Sequence, residues 1–324
     1  MIEVENIKKS YGKIIAINNV SFKVNDGEIM GLLGSNGAGK TTTLNIISGY
    51  SEPEKGRVLI NGIDLEKNGK KARQEIGYMP ENIPLYQDLT VNEYLDFICD
   101  LKKVKKQDKE NEIEEIIKKA KLESVRDRLI KNISRGYKQR VSFAGAMVGN
   151  PNVVILDEPT VGLDPTQIKE IRDLIKSLKK DHCVIFSSHI LSEVQNICDK
   201  VVIIDNGEII AQGTPDELEN GNSKIVSINI IVERDSDKIS NIKNEIDSIV
   251  SIGKICENDD GSVEYEIKAK EDIRKELFDK LYKLDVNIIE LKKKEKSFED
   301  TFIKIVSKNE KEKRMKTKVK GDKK

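Results

Sequence analysis

The chain has no tryptophan, only two histidines and four cysteines, and just 5% of it is aromatic. Cys99, Cys183, Cys198 and Cys256 show no paired CxxC spacing, which speaks against zinc or a disulfide framework and fits a reducing compartment. All four read as packing residues. Long apolar runs are missing as well, since stretches such as Val201 to Ile204 fall far short of the ~20 residues that span a bilayer. The opening "MIEVENIKKSYG" lacks the basic start and apolar stretch of a secretory leader, so the cytoplasm is the expected location. There is no excess of either charge: Lys+Arg and Asp+Glu both total 56. Overall charge therefore gives no reason to expect nucleic acid as a partner, and any charge message must be local.

What is present is a chain of 324 residues with 37% hydrophobic content, enough for about two domains with their own cores. Near the start "VSFKV" alternates as a half-buried strand does, and "RVLINGIDL" carries Asn61-Gly62 between two such runs, a strong hairpin signal. An N-terminal antiparallel β layer is expected. The apolar "IMGLL" then runs into "GSNGAGKTTTLNIISG", which reads as strand, glycine loop and helix. From Thr90 the character turns helical: "TVNE" is a capping box, and Ile113, Ile116, Ile117 and Ala120 recur at helical spacing. This predicts a helical insertion over about 88–150. "VVILDEP" and "CVIFSSH" are apolar throughout and alternate with helices, which implies a parallel sheet covered on both faces.

"VVIIDNGEIIAQGTPDEL" closes a first domain, 1–220, and the composition changes near Gly221-Asn222. From Ile225 the pattern reads strand (225–232), helix (236–248), strand (250–256), strand (263–267), helix (272–284), strand (286–291). That β-α-β-β-α-β order is the order of a small ferredoxin-like α+β domain, here 225–306, ending on the helical "SFEDTFIKIV". The tail 307–324 holds nine Lys/Arg and three Asp/Glu and is expected to be disordered. It reads either as a solvated tail or as a contact for an anionic membrane surface.

"GSNGAGKT", Gly34 to Thr41, fits G-x-x-x-x-G-K-[ST], in which glycines let backbone N–H groups wrap a phosphate chain and the lysine reaches its outer groups. Its phosphate ligands are Gly34, Ser35, Asn36, Gly37, Ala38, Gly39, Lys40, Thr41 and Thr42, with the Thr41 hydroxyl also a Mg²⁺ ligand. "VVILDE" supplies Asp157 to hold the metal and Glu158 to polarise a water for in-line attack. No Asn-Lys-x-Asp reader of guanine is present, so ATP is favoured. Tyr11 could stack an adenine or simply pack a turn. His182 falls in a polar connection, whereas His189 follows a strand on the same strand-end side as Asp157, where it could sense a terminal phosphate. In "ISRGYKQR", Ser134 and Gly136 stand before a helix among Arg135, Lys138 and Arg140. Free N–H groups at that helix start make an anion seat.

Together these residues resemble the ATP-binding cassette (ABC) ATPases. Gly34 to Thr41 looks like the Walker A loop, Ile133 to Arg140 like the family signature and Val153 to Glu158 like Walker B. "GLDP", Gly162 to Pro165 with Asp164, resembles the D-loop, His189 the switch histidine and Tyr11 the adenine-stacking aromatic. The resemblance covers about the first 220 residues and implies a P-loop cassette whose cofactors are ATP and Mg²⁺. It also implies a second cassette as partner, with Ser134 and Gly136 of one subunit facing the γ-phosphate held by the other. Two departures stand out: Glu81 in "IGYMPEN", where the family usually has glutamine, and ISRGY in place of LSGGQ. These, with "GYMPENIPLY" and "SFEDTF", resemble the exporter branch whose ATPase powers a separate membrane permease. The expected protein is thus a cytoplasmic ATPase subunit, peripheral on the inner face of the membrane. The rival, a soluble ABC ATPase acting on DNA or ribosomes, typically carries a tandem cassette, a long coiled coil or zinc cysteines, none of which appears in this chain.

Overall fold

The computed structural model describes residues 1–220, 226–234, 237–294, 301–303, 306–307 and 309. They form two compact units: Met1–Pro215 with the described residues from Ile303 onward, and Asp216–Phe302. In the first, β1 (Ile2–Tyr11), β2 (Ile14–Val24), β4 (Lys55–Ile60) and β5 (Ile63–Asp64) form an antiparallel sheet ordered β2-β1-β4-β5. The Asn61-Gly62 hairpin joins β4 to β5, with φ of 50° and 76°, the left-handed pair that a tight type I′ turn requires.

A second sheet contains β3 (Ile29–Leu33), β6 (Ile76–Met79), β7 (Val153–Leu156), β8 (Cys183–Ser188), β9 (Lys200–Asp205) and β10 (Glu208–Gly213), ordered β10-β9-β3-β8-β7-β6. Its pairs are parallel except for the edge hairpin β9–β10. β3, β7 and β8 are buried along their whole length, as strands covered on both faces must be. The core between the sheets takes Ile2, Ile17, Met30 and Leu32, together with Leu44 and Ile47 of α1 (Lys40–Ile47). α6 (Pro165–Leu178) follows β7, and α7 (Leu191–Ile197) follows β8. The register pairs Leu33 with Ser188 and Leu156 with Phe186, so the loops after β3, β7 and β8 leave the sheet at one edge. That edge is where a doubly wound sheet offers a ligand crevice.

Before β6 lies the short α2 (Gly69–Gln74). Between β6 and β7 the chain builds a helical layer of α3 (Val91–Lys102), α4 (Lys109–Lys119) and α5 (Arg135–Met147). Its separate core holds Leu95, Ile113, Ile116, Ile117, Ala120 and Val141, the face that the sequence periodicity marks. Thr90 closes a full capping box with Glu93. No helix among the described residues is long and apolar enough to cross a membrane.

α8 (Pro215–Asn220) leads into the second unit, whose β11 (Val226–Val232), β12 (Ile249–Glu257), β13 (Val263–Ala269) and β14 (Ile288–Lys294) form an antiparallel sheet ordered β12-β13-β11-β14. α9 (Asp237–Asn241) and α10 (Arg274–Lys283) complete it, and Ile228, Ile230, Ile242, Ile267, Leu277 and Leu281 make its core. The helix expected over 236–248 is shorter than its pattern suggests: α9 ends at Asn241 and continues as a 3₁₀ turn, Ile242–Asn244. Asn241, Asn244, Asp247 and Ser248 offer the backbone competing local hydrogen bonds, and the tighter turn still buries Ile242 and Ile246. Residues 301–303 are helical, while 295–300, the composition break at 221–222, Ile225 and the basic stretch 310–324 lie outside the described residues.

Candidate nucleotide site

The loop from Gly34 to Gly39 turns on two glycines with left-handed φ, Gly37 at 80° and Gly39 at 111°. A side chain at Gly39 would stand 2.8 Å from the Ala16 carbonyl, and one at Gly34 would stand 2.4 Å from that of Ile204. The loop is therefore packed bare against its surroundings. Ser35, Asn36 and Gly37 are left exposed and Ala38 is buried. Lys40, 6% exposed, folds its ammonium back to donate to the carbonyls of Gly34 at 2.8 Å and Ser35 at 3.3 Å. The same nitrogen lies 3.2 Å from Oε1 of Glu158. Thr41 and Thr42 open α1 beside it.

Asp157 and Glu158 leave the end of β7. Both are buried, and Glu158 takes a left-handed φ of 49°, a conformation that costs a non-glycine residue energy and clusters at functional sites. The Ser187 hydroxyl fixes the pair by accepting the Glu158 N–H at 2.8 Å and donating to Oδ1 of Asp157 at 2.6 Å. Burial pushes the Asp157 carboxyl above its ordinary range; the hydroxyls of Ser187 and Thr41 pull it back, and the charges of Glu81 and Glu158 push it further up. Its Oδ2 is buried with no hydrogen-bond partner. An unmatched buried carboxylate oxygen beside a threonine hydroxyl suits a hard, oxygen-seeking cation such as Mg²⁺, which would offset the burial cost. His189 Nδ1 meets Oε2 of Glu158 at 2.8 Å, so Lys40, Asp157, Glu158 and His189 form one cluster.

Other sequence candidates are distributed around it. Tyr11, at the end of β1, is 52% exposed rather than packed, and its ring lies 5.9 Å from Lys9 Nζ. Glu81 is exposed in the loop after β6, near enough for its charge to act on Asp157. Ser134 caps α5 by accepting the Tyr137 N–H at 3.4 Å, and Asp164 caps α6 by accepting from Thr166 at 2.9 Å and Gln167 at 3.0 Å. Gly136 faces the Gln167 side chain, where a Cβ would meet Cδ at 2.7 Å. Among the described residues no hydrogen bond joins Ser134, Gly136 or Asp164 to the Lys40–Glu158–His189 cluster.

One expectation is refined and one corrected. His182 lies in the polar connection between α6 and β8, after the exposed Lys179, Lys180 and Asp181, but its own side chain is buried, with Nδ1 2.6 Å from the Pro151 carbonyl. Cys256 is exposed on the outer strand β12, whereas Cys99, Cys183 and Cys198 are packing residues. Sequence reasoning missed Ser187, Ser188, Thr160 and Glu193, all buried. The only signal was two hydroxyls ending an otherwise apolar strand.

This combination of a P-loop, a strand-end acid pair and a helical layer ahead of that pair defines a nucleoside-triphosphate hydrolase of the cassette type. Residues 17–161 match the ABC transporter family. The linearmycin resistance ATP-binding protein LnrL of Bacillus subtilis is 39% identical over 220 residues, covering 67% of this chain and 70% of its own. A solved ATP-binding subunit of an ABC transporter is 32% identical with a TM-score of 0.63, covering 68% of this chain and 92% of its own. The cassette MJ0796, solved as a dimer in a post-hydrolysis state with ADP and Pi, is 27% identical with a TM-score of 0.61, covering 66% and 98%. The chain belongs to the ABC transporter ATPases: it is an ATP-binding, ATP-hydrolysing transporter subunit.

Proposed function

We propose that this subunit drives export through a separate membrane permease, by closing with a second cassette around ATP and reopening on hydrolysis. The observation that carries the catalytic part is the Glu158 carboxylate held between Lys40 and His189. Lys40 and the loop amides from Gly34 to Thr42 bind the phosphates, and Tyr11 stacks on the base. Thr41 and Asp157 would hold Mg²⁺, which would supply neutralisation of phosphate charge. Glu158 accepts the proton of the attacking water while His189 orients the terminal phosphate. Glu81 adds a carboxylate near Asp157 that tunes metal retention. Ser134, Gly136 and Asp164 of one subunit close on the ATP of the other, a reading that the dimeric state of MJ0796 supports.

Export is favoured by the resistance function in the name of LnrL, and the soluble alternative has no such support. A cavity of about 480 Å³ between the helical layer and the start of β6, lined by Arg73, Tyr78, Tyr94, Leu101 and Lys102 among others, suits a permease segment. On this reading the protein works as a peripheral subunit at the inner face of the membrane. The domains we assign are a cassette over 1–220 with its helical part at about 88–150, an accessory domain over 225–306 and a basic tail over 307–324. The second unit's β12-β13-β11-β14 sheet order and β-α-β-β-α-β sequence support the ferredoxin-like reading. A contact of the tail with anionic lipid is checked by removing 307–324 and sedimenting with anionic vesicles at two salt concentrations; unchanged binding refutes it.

The central test is light scattering of Glu158→Gln with and without Mg-ATP. ATP-dependent doubling of mass is expected, and a monomer under both conditions would remove the dimer from the mechanism.

A further inference from the structure

Glu193, at the start of α7, is 0% exposed, yet its carboxylate is not used by the catalytic cluster. One oxygen, Oε2, accepts two hydroxyls: Thr160 Oγ1 at 2.9 Å and Ser188 Oγ at 2.8 Å. Thr160 lies two residues past Glu158 and is tied into the same turn series, the Val161 N–H donating to the Glu158 carbonyl at 3.2 Å and the Leu163 N–H to the Thr160 carbonyl at 3.3 Å. Ser188 immediately precedes His189, and its hydroxyl also accepts the Ile190 N–H at 2.9 Å, so it closes the turn that carries the histidine. The two loops that a single oxygen joins are thus the loops whose side chains pair at 2.8 Å, Glu158 with His189.

Stability alone does not account for a carboxylate in this place. Its second oxygen, Oε1, has no hydrogen bond and only a long ion pair, 3.8 Å, with Nη2 of Arg172, whose Nε is itself unmatched. Burying a carboxylate with one oxygen lacking a hydrogen bond costs free energy that an apolar side chain would avoid, and residues that break such rules cluster at functional sites.

We propose that Glu193 is a positioning residue for ATP hydrolysis: by holding Thr160 and Ser188 on one oxygen it fixes the separation of the Glu158 and His189 loops. The inference rests on the reading of Glu158 and His189 given under Proposed function. Displacing catalytic groups by about 1 Å can cost on the order of 10²-fold in rate, whereas the phosphate loop, held by Lys40 and Gly34, makes no hydrogen bond or ion pair with Glu193 among the described residues.

The test uses the full chain carrying Glu193→Gln, Thr160→Val, or both. Turnover should fall about 10- to 100-fold in each single variant with KM for ATP within about threefold of wild type, and the double variant should be no worse than the poorer single one. The second readout needs no activity. The chain has two histidines, so imidazole ¹⁵N spectra resolve His189, bonded to Glu158, from His182, bonded to Pro151. In either variant the His189 Nδ1 signal should move toward that of Glu158→Gln while the His182 signal stays. Thr160→Val conserves shape and decides the matter if Glu193→Gln does not fold. Unchanged His189 signals with turnover within about twofold of wild type would overturn the proposal. If Glu158→Gln keeps its turnover while the Glu193 variants still shift His189, the catalytic reading fails and the positioning stands.

Discussion

The ammonium of Lys40 lies 3.2 Å from Oε1 of Glu158, and the other oxygen of that carboxylate meets His189 Nδ1 at 2.8 Å. One buried carboxylate therefore occupies both groups proposed to receive the terminal phosphate. On the roles proposed for them, an arriving phosphate would draw Lys40 away from Glu158, and nucleotide binding and release of the general base would be one event.

From this follows the expected behaviour of Glu158→Gln. Turnover should drop by about 10²- to 10⁴-fold, the usual worth of general-base catalysis. ATP affinity should hold or rise, because the substitution removes a negative charge that competes for Lys40. Equilibrium binding and steady-state hydrolysis on the same preparation check both halves. More than about a third of wild-type turnover would assign the base to another group, with Glu81 first in line.

Thiol chemistry should separate the four cysteines. Burial pushes the Cys99 thiol up to about 11 and that of Cys183 to about 12, and holds Cys198 well above its ordinary value. The thiol of the exposed Cys256 is also raised, by desolvation and then by the Glu264 carboxylate 3.6 Å away. A chromogenic disulfide reagent should therefore titrate one thiol in the native chain and four after denaturation. The native reaction should quicken as pH rises beyond the ordinary thiol range. Two or more fast equivalents in the native state would contradict the packing.

At the start of α3, Thr90 accepts the Glu93 N–H at 3.2 Å and donates its own N–H to Oε2 of Glu93 at 2.8 Å. Thr90→Ala should cost about 1 kcal/mol in urea unfolding. The Thr90 backbone and hydroxyl hold the Glu93 carboxyl below its ordinary range. A depressed folded value stabilises above the unfolded one and is lost as pH falls through the folded one. Alanine keeps the backbone N–H and loses only the hydroxyl bond to Glu93, so the gap between wild type and variant should narrow slightly in acid, and a gap independent of pH would show that this hydroxyl bond adds nothing to the cap.

The phosphate loop was legible because its chemistry is local: Gly34 to Thr41 are contiguous, and the glycines that a bare backbone requires are visible as letters. Asp157 and Glu158 were legible for the same reason, as acids ending an apolar strand. Ser187 and Glu193 were not. Their meaning arises only when β7 and β8 pair, placing Ser187 on Asp157 across 30 positions of chain and Glu193 under Thr160 across 33. The shortened α9 escaped notice because a 3₁₀ turn and an α-helix bury isoleucines at nearly the same spacing, so periodicity alone does not tell where one becomes the other.

Gly136 has two possible reasons to be glycine, and they can be separated. Its φ is not left-handed, so backbone freedom is not the reason. A Cβ would stand 2.7 to 2.8 Å from the end of the Gln167 side chain in the same chain, while the composite-site reading places a second subunit's phosphate at this turn. Gly136→Asp would both crowd Gln167 and repel an anion. Adding Gln167→Ala removes the crowding and leaves the charge. Because the crowded atoms are the far end of a flexible side chain that can swing aside, the single variant should lose little thermal stability, the double variant should match wild type, and neither should trap nucleotide. If Gln167→Ala restores trapping, the glycine serves only packing within its own chain, and the composite site is refuted. If trapping stays absent, mixing the double variant with Lys40→Ala supplies the decisive step. In a composite arrangement both defects fall in one site of the mixed dimer and the other site is intact, so trapping should return to about half of the sites. Tagged mixed dimers that trap no more than either parent would show that Ser134 and Gly136 serve the ATP of their own chain or none.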